Sequence, residues 1–266
     1  MPKAIPQTKY NDIVSRILDT MVSGNELLPI DFLRLKKQIS DIPVSEDKEC
    51  LMAMLHIWNG DLSSADCFFK KAQRISGGVR VVNAGNYISA LKLGNAHLKA
   101  HDLAFSIATT NGYASLLIES LKSCIETFDM EKAKFILEQC EFFEGDSRNE
   151  EFDVYKEIYE YVSAALTSLN LSFEQLKTAT HESISYMESK NIKFIGSGMN
   201  IIDSELIDLH FTSCDQDFDC IDANMDLMDH LLEILDDDSI AKIATRITRI
   251  SVPDAQREIR EVACVY

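Results

Sequence analysis

The sequence predicts a mainly α protein. Antiparallel helical hairpins are expected over residues 1–190, and a small acidic α/β module over 191–266. Three observations predict this. Prolines stand at 2, 6, 29, 43 and 253, so no ring without an N–H interrupts a helix between 44 and 252. Apolar residues recur at helical spacing through most of that span. After Lys190-Asn191 the spacing changes to alternation.

The first helix is expected around Tyr10, Ile13, Val14, Ile17, Leu18 and Met21, with Gly24 as its stop. A second is expected around Leu28, Phe32, Leu33, Leu35 and Ile39, entered through Pro29, whose fixed φ suits a first turn. Short loops between such helices imply antiparallel neighbours.

A periodic pattern then begins. CLMAMLHIWNGDLSSADCFFKKAQRIS, YISALKLGNAHLKAHDLAFSIATTNG and LLIESLKSCIETFDMEKAKFILEQCEFF align on Ala65, Ala100 and Ala133, at intervals of 35 and 33 residues. Four residues after each anchor stand Phe69, Ala104 and Leu137; seven after stand Ala72, Ile107 and Cys140. Twelve before stand Ala53, Ile88 and Leu121; nine before stand His56, Leu91 and Cys124. A small anchor lets two helices approach, and the larger residue four on fills the space beside it.

This pattern resembles the tetratricopeptide repeat, a helix–turn–helix unit of about 34 residues. The units would run over about 46–80, 81–113 and 114–147. The first is the nearest match, with Gly60-Asp61 at its turn. The sequence departs from the family in that no proline closes a unit, and Gly94 stands one residue out of register. The resemblance implies a superhelix whose first helices line a concave groove for a partner's peptide or helix. Its outward positions would be Asn86, Ser89 and Lys92, then Ser115, Glu119, Lys122 and Glu126. Lys92 and Lys122 are a thin version of the basic clamp that some members use for a C-terminal carboxylate. Trp58 is either core or a groove anchor.

Helices are expected next over 152–169 and 173–189. Ile192, Phe194 and Gly196-Ser-Gly198 then suggest extended chain, and Ile207, Leu209 and Phe211 alternate with Asp208, His210 and Thr212 as in a half-buried strand. Ile221, Met225, Met228, Leu231, Leu232 and Leu235 mark a helix. IATRITRISV fits a helix by spacing, but its β-branched residues favour a strand. A strand–strand–helix–strand module follows, with an all-helical ending as the alternative. Pro253-Asp254 would start a last short helix through Val262.

Charge narrows the partner. The net charge is −17, and residues 194–241 carry 13 acidic residues and no lysine or arginine. Such a surface repels nucleic acid and anionic lipid and attracts a basic protein. No stretch approaches the roughly 18 unbroken apolar residues of a membrane helix, and MPKAIPQTKYND has no signal-peptide apolar run. Seven cysteines without a C-x-x-C pair read as reduced thiols of a cytosolic protein.

The stretch CDQDFDCID places Asp215, Asp217 and Asp219 at positions 1, 3 and 5 of a calcium-loop pattern, with Asp226 at 12. Cys220 stands where the loop needs glycine, so capping of a helix entrance is the stronger reading. With Asp222, Asp226, Asp229 and Glu233, these residues form a candidate acidic surface; Asp203, Glu205, Asp208 and Asp236–Asp238 extend it. His97 and His101 stand i, i+4, but no third ligand is visible, and a surface pair is expected. No phosphate-binding loop, nucleophile elbow or kinase motif is present, and FIGSGMN lacks a third glycine. The expectation is therefore a cytosolic, non-enzymatic adaptor or regulator without a cofactor or metal, binding another protein through the groove. The alternative is an acidic inhibitor, of antitoxin or immunity type, that neutralises a basic toxin or nucleic-acid-binding protein.

Overall fold

In the computed structural model, the described residues are 7–22, 27–78, 80–140, 150–203, 205–213, 215 and 218–250. They form twelve helices and three strands. The expected stop at Gly24, the residues Cys214 and Asp217, and the helix from Pro253 to Val262 lie outside them. The chain divides into two compact units, one ending at Ala96 and the other beginning at His97.

The first unit contains α1 (Gln7–Val22), α2 (Pro29–Ser40), α3 (Glu46–Trp58), α4 (Leu62–Ser76) and α5 (Val81–Leu93). Its centre is α3, which packs against the other four. Every residue from Glu49 to Ile57 is buried, as a helix apolar all round requires. Ser45 caps α3 by accepting from the Lys48 N–H at 3.2 Å, and Asp61 caps α4 by accepting from the Ser64 N–H at 3.0 Å. The α2 face is narrower than its apolar spacing predicts: Leu35 and Ile39 are buried, whereas Leu28 and Leu33 are exposed. A polar network ties α1, α3 and α5 together. Tyr10 Oη donates to Asn83 Oδ1 at 2.5 Å, and Asn83 Nδ2 donates to Glu46 Oε1 at 2.8 Å.

The second unit begins with α6 (His97–Asn111), α7 (Ala114–Glu126), α8 (Met130–Cys140), α9 (Glu150–Leu169) and α10 (Phe173–Ser189). It continues through β1 (Phe194–Ile202), β2 (Leu206–Ser213), α11 (Cys220–Leu232), α12 (Asp237–Lys242) and β3 (Ile243–Arg249). Helix α7 packs against α6, α8 and α9. The sheet order is β1-β2-β3, with β1 and β2 antiparallel and β2 and β3 parallel. Two parallel neighbours need a crossover, and α11 with α12 supplies it. Ile243–Arg249 of the ambiguous segment is thus a strand, preceded by a short helix that the residue pattern did not separate. Ile207, Leu209, Phe211, Ile243 and Ile247 are buried in the sheet core.

One turn geometry recurs at helix ends. Gly60, Asn95, Phe128, Asn170 and Asn191 are left-handed, with φ of 75°, 58°, 50°, 53° and 55°. Each is followed by an N–H that bonds back five residues, as in Asp61 to His56 O, Ala96 to Leu91 O and Asp129 to Cys124 O, all 2.9 Å. These are Schellman-type closures, which satisfy carbonyls a helix end leaves open. Ala65, Ala100 and Ala133 each stand five residues after such a turn and are fully buried. At the aligned positions Phe69, Ala104, Leu137, Ala72, Ile107, Ala53, Ile88, Leu121, His56, Leu91 and Cys124 are buried too; Cys140 is only partly so.

Candidate functional site

Three of the seven groove positions are buried. Asn86 is buried, because α1 packs on α5, and its Nδ2 donates to Tyr10 Oη at 3.2 Å. Ser89 and Glu119 are also buried. Lys92, Lys122 and Glu126 are half-buried, and Ser115 is exposed on α7. Asn86, Ser89 and Lys92 belong to the first unit, and the other four to the second. The cause at α5 is tertiary: an N-terminal helix covers the face that the helical spacing directs outward. Trp58 is half-buried at the end of α3.

The acidic residues are better exposed. Asp219 is the α11 cap, its Oδ1 accepting from the Ile221 and Asp222 N–H groups at 2.8 and 3.2 Å. Asp219 of CDQDFDCID thus stands at a helix entrance, where negative charge suits the helix dipole. Asp215 is half-buried next to Ser213, whose Oγ accepts from its N–H at 3.1 Å. Asp222, Asp226, Asp229 and Glu233 are exposed along α11. Lys190 approaches Asp226 at 3.4 Å, and Lys242 pairs with Asp238 at 2.7 Å, so the charge is partly offset at its edges. Asp208 is not part of this surface. It is buried on β2, where Arg246 of β3 donates to both its oxygens at 2.9 and 2.8 Å and holds its carboxyl below the usual range.

Between these acids lies an apolar row that the residue pattern used only to mark the helix. The buried face of α11 is Ala223, Leu227 and Leu231. Ile221, Met225, Met228 and Leu232 point outward, 73%, 63%, 60% and 45% exposed. Their 4-3-4 spacing is that of a coiled-coil seam. Asn224 fixes which face turns inward. Its Nδ2 donates to Ile247 O at 2.9 Å, and its Oδ1 accepts from the Ile247 N–H at 2.7 Å, so α11 is clamped to β3. The signal was present in the sequence, since a helix apolar on two faces cannot bury both against one sheet.

A second cluster lies inside the second unit. His101 and Asp129 are fully buried, with Nε2 and Oδ2 3.2 Å apart. Lys132 Nζ lies 3.1 Å from that Nε2, 3.3 Å from that Oδ2 and 2.8 Å from Asp102 Oδ1. His101 Nε2 thus faces both a carboxylate, which only accepts, and an ammonium, which only donates. Its Nδ1 lies 3.4 Å from Thr127 Oγ1, whose own hydrogen goes to Ser123 O at 2.9 Å. Lys177 Nζ is 3.4 Å from Asp129 Oδ2. Burial would raise the Asp129 carboxyl, but its contact with His101 and the two lysines outweighs this and holds it well below the usual range. His181 completes the cluster: one ligand atom each from His101, Asp129 and His181 lie within 4.8 Å of one another. Burial, then the neighbouring His101, pushes the His181 imidazole down to about 4. The expected surface pair His97 and His101 is instead buried, and their shared helix was the only signal for this cluster. Its partners are 28 and 80 residues away from His101, beyond any local spacing rule. Nearby Cys124 is buried with its thiol pushed up to about 12, which leaves it a poor nucleophile.

Comparison with protein families, curated proteins and solved structures finds no match to this chain. No helix among the described residues is long and apolar enough to cross a membrane.

Proposed function

We propose that this chain is a non-enzymatic protein-binding regulator whose docking face is α11, and that its partner presents a basic amphipathic helix. The observation that carries this reading is the exposed seam Ile221, Met225, Met228 and Leu232, bordered by Asp222, Asp226 and Asp229. Exposed apolar residues in a continuous row mark interaction surfaces, and methionine suits one that adapts to its partner. Burying each of these side chains contributes about 1.5–3 kcal/mol. The flanking acids choose the sign of the partner and speed its approach. A second copy of the chain brings the same acids and is repelled.

The helical hairpins serve as the scaffold. Their resemblance to tetratricopeptide repeats is supported by buried alanines at intervals of 35 and 33 residues and by a left-handed turn five residues before each. The concave-groove version is disfavoured because Asn86, Ser89 and Glu119 are buried. The inhibitor of a basic toxin is the same docking chemistry with a particular partner.

The test uses a synthetic amphipathic peptide with leucine and lysine at heptad spacing, followed by fluorescence anisotropy. Saturable binding that weakens from 0.05 to about 0.5 M salt is expected, because screening shortens the reach of the acids. Met225→Ser with Met228→Ser leaves the charge unchanged and should abolish most of the binding. Binding that survives this variant would mean attraction by net charge alone, and the reading fails. Sedimentation should find a monomer; a dimer lost in the same variant would assign the face to self-association instead.

A further inference from the structure

We propose that His101, Asp129 and His181 form a binding site for a divalent transition-metal ion of the zinc class, entering where the Lys132 ammonium now sits among them. The donor set is two imidazoles and one carboxylate, the N and O ligands that Zn²⁺ takes. Each donor is already oriented. His101 turns Nε2 to the site while Thr127 Oγ1 sits 3.4 Å from Nδ1, a second contact of the kind that steers a ligating histidine. Asp129 uses Oδ1 on the Lys132 N–H at the start of α8, which leaves Oδ2 for the site. His181 Nε2 is buried with no hydrogen-bond partner among the described residues, and a bound ion would relieve that cost.

The ion would draw the three donors from within 4.8 Å to the spacing of about 3.3 Å set by tetrahedral Zn–N and Zn–O bonds. Water would take the fourth position. Lys132 is a cation in the ion's place, and it has a second acceptor on the rim, Asp102, whose side chain is 72% exposed. Metal entry is therefore an exchange of one cation for another, with Lys132 retained by Asp102. Lys177 stays near Asp129 and opposes the incoming charge. The two lysines predict a weaker site than the same ligands would make alone.

Co²⁺ added to the full chain is the probe. One equivalent should develop the intense visible absorption of tetrahedral cobalt, and Zn²⁺ should bleach it. Ions held by surface carboxylates stay octahedral and nearly colourless, and cysteine ligation adds a near-ultraviolet charge-transfer band. His181→Phe keeps a ring in the core and removes the ligand; affinity should fall at least about tenfold. Lys132→Met replaces none of the three ligands, removes the competing ammonium and should tighten Co²⁺. No tetrahedral spectrum, a spectrum unchanged by His181→Phe, or an affinity not raised by Lys132→Met would each overturn the site. The α11 variant should leave all of this unaltered, which keeps this outcome separate from that of the docking face.

Discussion

At Gly94 the absence of a side chain is a packing requirement. A Cβ there would lie 2.5 Å from Ile57 Cγ2 and 3.2 Å from Ala90 O. Isoleucine is stiff at χ1, so it cannot swing aside. Gly94→Ala should therefore lower stability by about 1–3 kcal/mol in urea unfolding, the usual cost of overpacking. The Asp208–Arg246 fork makes a prediction about pH. Its hydrogen bonds and charge lower the Asp208 carboxyl, so its stabilisation is complete above the unfolded value of about 3.9. It disappears as pH falls through the lower folded value. Asp208→Asn should cost about 1 kcal/mol at pH 7, and the gap to wild type should close below about pH 4 in thermal melts.

At the scale of elements, the exposed edge of β3 depends on α11. An open strand edge is a template for pairing with another chain, and Asn224 occupies both backbone groups of Ile247 there. Asn224→Ala leaves that N–H without its side-chain acceptor and leaves the C=O only the Cys220 thiol, at 3.2 Å. A loss of about 1–3 kcal/mol is expected, with faster amide exchange at Ile247 as the local readout. The same clamp sets the rotation of α11 and so keeps Met225 and Met228 outward. Function at the face and stability at the edge thus rest on one side chain. The binding assay on Asn224→Ala should show weaker peptide affinity even where the helix persists.

For the molecule as a whole, the net charge of −17 is the dominant electrostatic fact. Like charges at this density oppose compaction, and nearby cations offset part of them, as Lys190 does for Asp226 and Lys242 for Asp238. Raising sodium chloride from 0.05 to about 0.5 M should therefore raise the melting temperature, since repulsion is screened while hydrophobic burial is not. A melting temperature that falls with salt would mean that attractive pairs outweigh repulsion. The opposite salt dependences of folding and of peptide binding come from one charge distribution.

Much of the helix content was legible in the sequence because apolar spacing and proline placement act locally. Phe173–Ser189 and the strand Leu206–Ser213 needed only their own residues to be recognised. Asp219 as a helix cap was equally local. Which face of α11 is buried was not local, because Asn224 chooses it by reaching β3, 23 residues on. Nor was the burial of Asn86, which depends on Tyr10 arriving from 76 residues away. Tertiary structure alone brought Asp129 and His181 to His101, since residues on α6, in the turn before α8 and on α10 have no common period to read. Local free energies write themselves into neighbouring residues; cross-chain contacts are decided only when the helices pack.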